Sequence, residues 1–138
     1  MSALLPDAVE RDRPTRPIDR LPVVVVGAGA MGGEWIRMLS TSPFAEPVGV
    51  VDLDLELAAS TTRSAGLEHV VVGSSVAEVA STAGARAVIN VTVPQAHRVV
   101  NEEALRAGLP VLCEKPLAPT VAEAVSYTHL TLPTKRIV

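Results

Sequence analysis

The sequence predicts an α/β fold, a doubly wound parallel sheet that is incomplete at its C-terminal end. Three observations lead there. Val23-Val24-Val25-Val26 is strand-sized and uniformly apolar, as a strand buried on both faces must be. It runs straight into the glycine-spaced turn Gly27-Ala28-Gly29-Ala30-Met31-Gly32, and an acid, Asp52, stands twenty residues beyond the last of these glycines. Beyond the turn, short apolar runs alternate with stretches of helical period, which implies right-handed βαβ crossovers and a parallel sheet.

Each element follows in order. Pro22–Gly27 reads as the first strand. Ala30–Ser40 reads as a helix with Met31, Trp35, Met38 and Leu39 spaced for one buried face, ended by Pro43. Val48–Asp52 is a second buried strand. Asp54–Ser64 is a helix, with Asp54 suited to its N-cap and Gly66 just past its end. His69–Val72 is a third strand, and Ser75–Ala80 a short helix capped by Ser74 or Ser75. Ala87–Val93 is a fourth strand, Gln95–Ala107 a helix closed by Gly108, and Pro110–Glu114 a fifth strand; another helix starts at Thr120. Gly27, Asp52, Thr92 and Lys115 all fall at or just past predicted strand ends, where ligands bind on such sheets.

The turn carries a specific chemistry. Gly27 permits the tight bend, Gly29 lets the backbone approach a pyrophosphate, and Gly32 lets helix and strand pack closely. The first helical N–H groups, at Ala30, Met31 and Gly32, would hold the pyrophosphate, because the helix dipole favours negative charge there. Asp52 would accept from a ribose 2′-hydroxyl and repel a 2′-phosphate. Leu53-Asp54-Leu55 offers no cation to a phosphate, and the first basic residue, Arg63, lies at the far end of the next helix. The expected cofactor is therefore NAD rather than NADP, in a Rossmann-type unit.

Composition excludes other classes. A net charge of −3 with no basic run argues against a nucleic-acid partner, and 2% aromatic residues against a stacking platform. The longest apolar runs are too short for a membrane span, and the N-terminus lacks the features of a secretory signal. A single cysteine, Cys113, cannot make an internal disulfide, which fits a cytoplasmic protein. Cys113 and Trp35 read as core residues. His69 has no partner at metal-ligand spacing, so no metal is expected.

Residues 1–20 read as a disordered leader, in which Arg and acidic residues alternate without apolar period and prolines interrupt. Residues 21–124 form the dinucleotide-binding domain. The stretch from Val125, Ser126-Tyr127-Thr128-His129-Leu130 onward, has neither period; it resembles a translated transposase-type sequencing adapter, and residues 125–138 are read as an artefactual tail.

Three blocks carry a resemblance: the turn at 27–32, Asn90-Val91-Thr92-Val93-Pro94-Gln95-Ala96-His97, and Glu114-Lys115-Pro116. In this order and spacing, from Leu21 to Ala124, the chain resembles the N-terminal domain of the glucose-fructose oxidoreductase, inositol dehydrogenase and MocA family. The family's middle block places a His five residues after its Thr, as Thr92 and His97 do, but Val93 stands at the usual Pro position and Pro94 follows. The resemblance implies NAD(P)-dependent oxidoreduction at a hydroxyl or carbonyl carbon of a sugar, inositol or similar small molecule. It puts Lys115 near the nicotinamide and the substrate oxygen as the catalytic residue. Thr92, Pro94, His97 and Glu114 are implied as cofactor contacts, with Glu114 also placed to pair with Lys115. It implies, too, a homo-oligomeric parent with a C-terminal substrate domain and a sixth strand that are absent here. Taken alone, Lys115 reads as an exposed strand-end charge and His97 equally as a capping residue.

Two other readings compete. A non-catalytic dinucleotide-binding sensor module would need no lysine beside a nicotinamide, so Glu-Lys-Pro favours the enzyme. An amino-acid-pathway reductase of the same fold is disfavoured by the Thr92/His97 block.

Overall fold

The valine run forms the central strand because its side chains serve both faces of a sheet. The computed structural model describes residues 20–116 and 119–126. Among them, β1 (Leu21–Val26), β2 (Ala45–Val51), β3 (Val71–Gly73), β4 (Ala87–Asn90) and β5 (Val111–Cys113) make one parallel sheet, ordered β3-β2-β1-β4-β5. The helices are α1 (Ala30–Ser40), α2 (Leu55–Ser64), α3 (Val76–Ala83), α4 (Pro94–Arg106) and α5 (Val121–Ser126). Strand order reverses between β1 and β4, which opens a crevice at their carboxyl ends.

Alternation along β1 builds two cores. Val23 and Val25 pack with Ile36 and Leu39 of α1, Ala58 of α2, and Val50 and Ile89 from the flanking strands. Val24 and Val26 pack on the other face with Val76, Val79 and Ala80 of α3 and Ala104 of α4. The sheet is thus covered on both sides, the doubly wound arrangement expected from its apolar strands. Pro47 lies in β2 where the β1–β2 register shifts between Val23 and Val24, so its missing N–H falls at an irregularity in the ladder.

The caps match their sequence signals. Asp54 Oδ1 accepts from Leu57 N at 3.0 Å at the start of α2, and Ser75 Oγ accepts from Glu78 N at 3.2 Å at the start of α3. Gly66 and Gly108, just past α2 and α4, have φ of 74° and 79°, left-handed values that favour glycine.

Several expectations are corrected. Met31 and Met38 are 51% and 54% exposed, so they do not belong to the buried face of α1. That face is Gly32, Gly33, Ile36 and Leu39, because Gly32 lies so close to the Gly27 carbonyl that the inner line of the helix runs through it. The third strand starts at Val71, not His69, and the fourth stops at Asn90, not Val93, where Thr92 turns back onto the Asn90 side chain. Arg20, assigned to the leader, pairs with Glu46 at 2.8 Å and so belongs to the folded unit. Helix α5 runs past Ala124, the expected boundary. Residues 1–19 and 127–138, the rest of the expected leader and tail, lie outside the described residues.

A Cβ on Gly32 would sit 1.7 Å from Gly27 O, whereas one on Gly29 would meet nothing within 4 Å. Gly32→Ala is therefore expected to lose at least about 2 kcal/mol of stability, because neither the turn nor α1 can yield without moving the sheet. Gly29→Ala should stay within about 1 kcal/mol of the parent. Urea unfolding of both variants checks the contrast.

Candidate functional site

The site starts with a turn held from two sides. Gly27 has φ +104°, and its N–H donates to Val51 O at 2.8 Å, tying β1 to β2. A Cβ on Gly27 would press on Val91 O at 2.8 Å, so glycine is required for its conformation and for its contact with the end of β4. Ala28 is clamped next. Its N–H donates to Asp52 Oδ2 at 2.8 Å, and its carbonyl accepts from Thr61 Oγ1 at 3.0 Å. Asp52 Oδ1 accepts from Asp54 N at 2.8 Å. One carboxylate therefore joins the turn to the β2–α2 loop.

The helix that follows has an open N-terminus. Gly29 is its N-cap, with an extended backbone and no side-chain cap hydrogen bond, and no acid stands in the first turn. Helix α4 is alike: Val93 at the N-cap gives no side-chain bond, Pro94 opens the helix, and its first turn holds no acid. By contrast α2 and α3 have side-chain caps and Glu56 or Glu78 in the first turn. Among these four helices, α1 and α4 leave their positive ends uncovered by a side chain.

The crevice is a cleft of about 560 Å³, lined by Val26, Gly27, Gly29, Val51, Asp52, Leu53, Leu57, Ser74, Val76, Val91, Thr92, Val93, Ala96, Val99, Val100 and Glu103. Its walls are mostly aliphatic. Its charged residues are Asp52 and Glu103, both acidic. On α4, Ala96, Val99, Val100 and Glu103 line it at helical spacing. Glu103 Oε1 accepts from Ser75 Oγ at 3.2 Å and Ala77 N at 3.0 Å, so it also caps the start of α3.

Behind the cleft lies a buried polar network. Asn90, fully buried, donates through Nδ2 to Asn101 Oδ1 at 2.8 Å and His97 O at 3.2 Å. Its Oδ1 accepts from Thr92 Oγ1 at 2.7 Å and Thr92 N at 3.2 Å. The His97 ring bridges two carbonyls: Nε2 lies 2.8 Å from Thr92 O and Nδ1 2.5 Å from Pro116 O. With Glu114 N donating to Asn90 O at 2.9 Å, the loops after β4 and β5 are tied together.

The structure thus brings together Gly27, Gly29, Asp52 and Thr92 on the cleft wall, with Ala30, Met31 and Gly32 beginning the open helix and Pro94 beginning the other. His97 is not a cleft residue. At 1% exposure it is a strut between two loops, because its ring points back into the network. Glu114 and Lys115 follow β5 outside the cleft lining, with Lys115 exposed. They form no ion pair with each other; Glu114 Oε1 instead accepts from the Lys115 backbone N at 3.3 Å. Thr61, Asn90, Asn101 and Glu103 were not found by sequence reasoning. Only Glu103 had a usable signal, its seven-residue spacing from Ala96 on one helical face.

Cys113 is half-buried, and burial raises its thiol above the ordinary value, opposed by a hydrogen bond with Asn101 and reinforced by the Glu114 charge. A thiol held protonated is a poor nucleophile, in keeping with a packing role.

The site suits a dinucleotide on its own geometry. The open α1 terminus and the bare Cα of Gly29 leave room and N–H donors for a pyrophosphate. Asp52 and the mostly aliphatic cleft lie beside that terminus, where they could hold a ribose and a base.

Comparison with known proteins agrees. The model of the GFO_IDH_MocA oxidoreductase family, NAD-binding Rossmann fold, matches residues 21–138. An inositol 2-dehydrogenase of Renibacterium salmoninarum is 38% identical over 103 residues, covering 74% of this chain and 30% of that protein. One from Streptomyces avermitilis is 40% identical over 106 residues, covering 76% and 30%. Among solved structures, myo-inositol dehydrogenase from Lactobacillus casei, in complex with NAD(H) and myo-inositol, superposes with a TM-score of 0.71 at 31% identity, over 78% of this chain and 32% of that one. GenD2 from gentamicin A biosynthesis, in complex with NAD, gives 0.71 at 29% identity, over 83% and 32%. The chain spans about a third of the length of the relatives it matches. With the family's model matched over residues 21–138, the chain belongs to the Gfo/Idh/MocA oxidoreductases and contains their NAD-binding Rossmann domain.

Proposed function

We propose that this chain is the cofactor half of an NAD-dependent dehydrogenase that acts on a hydroxyl-bearing carbon of an inositol or related cyclic polyol. Residues 21–124 form that half, and the parent is a cytoplasmic homo-oligomer with a separate substrate domain. The observation that carries the reading is the Gly27–Gly32 turn clamped by Asp52 at the head of a mostly aliphatic cleft. The relatives named inositol 2-dehydrogenase support the substrate class. Among the described residues, no helix is long and apolar enough to cross a membrane.

NAD, when bound, supplies the hydride acceptor. The rest is done by the chain's own groups. The N–H groups of Ala30, Met31 and Gly32 hold the pyrophosphate, and Asp52 accepts from the adenosine ribose. With only acidic charge on the cleft wall, a 2′-phosphate meets repulsion and no cation, which favours NAD over NADP. The Asn90–His97 network fixes the loop after β5 and so the base of Lys115. The Lys115 ammonium would donate to the substrate oxygen and stabilise the negative charge left there when the hydroxyl proton passes to a base of the substrate domain. The sensor-module alternative gains no support from the family or from relatives that are dehydrogenases by name.

Calorimetric titration of the 138-residue chain is expected to show tighter binding of NAD than of NADP. Asp52→Ala should narrow that difference, since a hydrogen bond to a charged group contributes about 1.5–3 kcal/mol. It should also weaken both cofactors and lower stability, because Ala28 N and Asp54 N lose their acceptor. Equal binding of the two cofactors by the parent chain contradicts the role of Asp52.

The chain alone is expected to bind cofactor without turning over any polyol, because orientation of the reacting carbon accounts for roughly 7–11 kcal/mol of barrier and one lysine cannot supply it. In a chain extended to the length of its relatives, Lys115→Ala should lower kcat about 10²–10⁴-fold in a coupled NADH assay. Unchanged kcat removes the lysine from the mechanism.

A further inference from the structure

We propose that Glu103 makes the cleft selective for a 6-aminopurine base, an inference that rests on the reading of the cleft as the NAD site. Pyrophosphate at the start of α1 and ribose at Asp52 leave the base to the part of the cleft beyond Asp52. Leu53 and Leu57 from the β2–α2 segment and Val99 and Val100 from α4 give the cleft its aliphatic surface. Glu103 stands on the same face of α4, about 10 Å along the helix from Ala96.

The carboxylate is positioned before any ligand arrives. Oε1 accepts from Ser75 Oγ and from Ala77 N, which fixes the side chain across two helices. Among the described residues, no hydrogen bond reaches Oε2. An ionised carboxylate only accepts, so a ligand that covers it without offering a donor strands a desolvated charge. The other cleft carboxylate, Asp52, already takes a backbone N–H on each oxygen.

On adenine, the exocyclic 6-amino group donates while N7 accepts; a 6-oxopurine presents an acceptor oxygen at that position instead. A base that turns its six-position and N7 edge toward Glu103 therefore gains a charge-assisted hydrogen bond as adenine and, as hypoxanthine, offers only acceptors and meets oxygen–oxygen repulsion. Apolar walls accept either ring, so discrimination falls to this one residue.

The test compares NAD with nicotinamide hypoxanthine dinucleotide, in which a 6-oxo group replaces the 6-amino group and N1 carries a proton, by calorimetric titration of the 138-residue chain. NAD is expected to bind at least about tenfold more tightly. In Glu103→Gln, the amide oxygen can keep the bonds from Ser75 and Ala77 while its NH₂ donates to a 6-oxo group, so the ratio should collapse toward one. Thermal unfolding of the variant checks that it folds as the parent does. Equal binding of the two dinucleotides by the parent chain overturns the inference alone, as does an unchanged ratio in a folded Glu103→Gln. Failure of the parent chain to bind either dinucleotide overturns the NAD reading and the inference with it. The parent-chain ratio stands as a test even if the variant does not fold.

Discussion

The peptide on either side of Ala28 is the point on which this structure turns. Its N–H is held by Asp52 and its carbonyl by Thr61, so the β2–α2 unit fixes the turn that ends β1. Gly32 presses its Cα against Gly27 O from the other side. Together these contacts set where α1 begins and how closely it lies on the sheet. A helix start that is fixed by neighbours, and not by its own side-chain cap, leaves its N–H groups aimed outward. The anion site is thus a by-product of how the fold is locked, and little backbone reorganisation is left for the ligand to drive.

The same economy of parts explains the charge pattern. Helices α2 and α3 close their N-termini with Asp54 and Ser75. Helices α1 and α4 have no such cap. Glu103 belongs to both schemes, because it supports the start of α3 through one oxygen and also lines the cleft. Behind the wall, Asn90, Asn101 and His97 replace apolar packing with a satisfied polar network. Among the described residues, no buried side-chain polar atom lacks a partner. Such networks fix one geometry more sharply than aliphatic contacts do, which suits loops that must stand at a fixed distance from each other.

How much of this was legible in the sequence follows from the range of the interactions. The valine run, the glycine spacing and the Asp54 and Ser75 caps are local, and each was placed correctly. Asp52 was located by its distance from the turn, although its bond to Ala28 N, across the sheet, was not. The inner face of α1 was misread because a hydrophobic pattern counts side chains, whereas Gly32 packs against Gly27 by having none. His97 was expected as a cofactor contact. Its two carbonyl partners, on Thr92 and Pro116, come from separate loops that only the fold brings to one ring. Glu103 was missed for the same reason: its partners Ser75 and Ala77 belong to another helix.

The central claim is that Asp52 holds the turn in its ligand-ready form before any cofactor binds. Amide hydrogen exchange at Ala28, measured by NMR on the 138-residue chain without cofactor and on its Asp52→Ala variant, tests it most directly. The account predicts that the Ala28 N–H is protected in the parent chain and loses that protection in the variant, while the amides of Val24 and Val25 stay protected in both. Rapid exchange of Ala28 in the parent chain, or equal protection with and without the carboxylate, would contradict it.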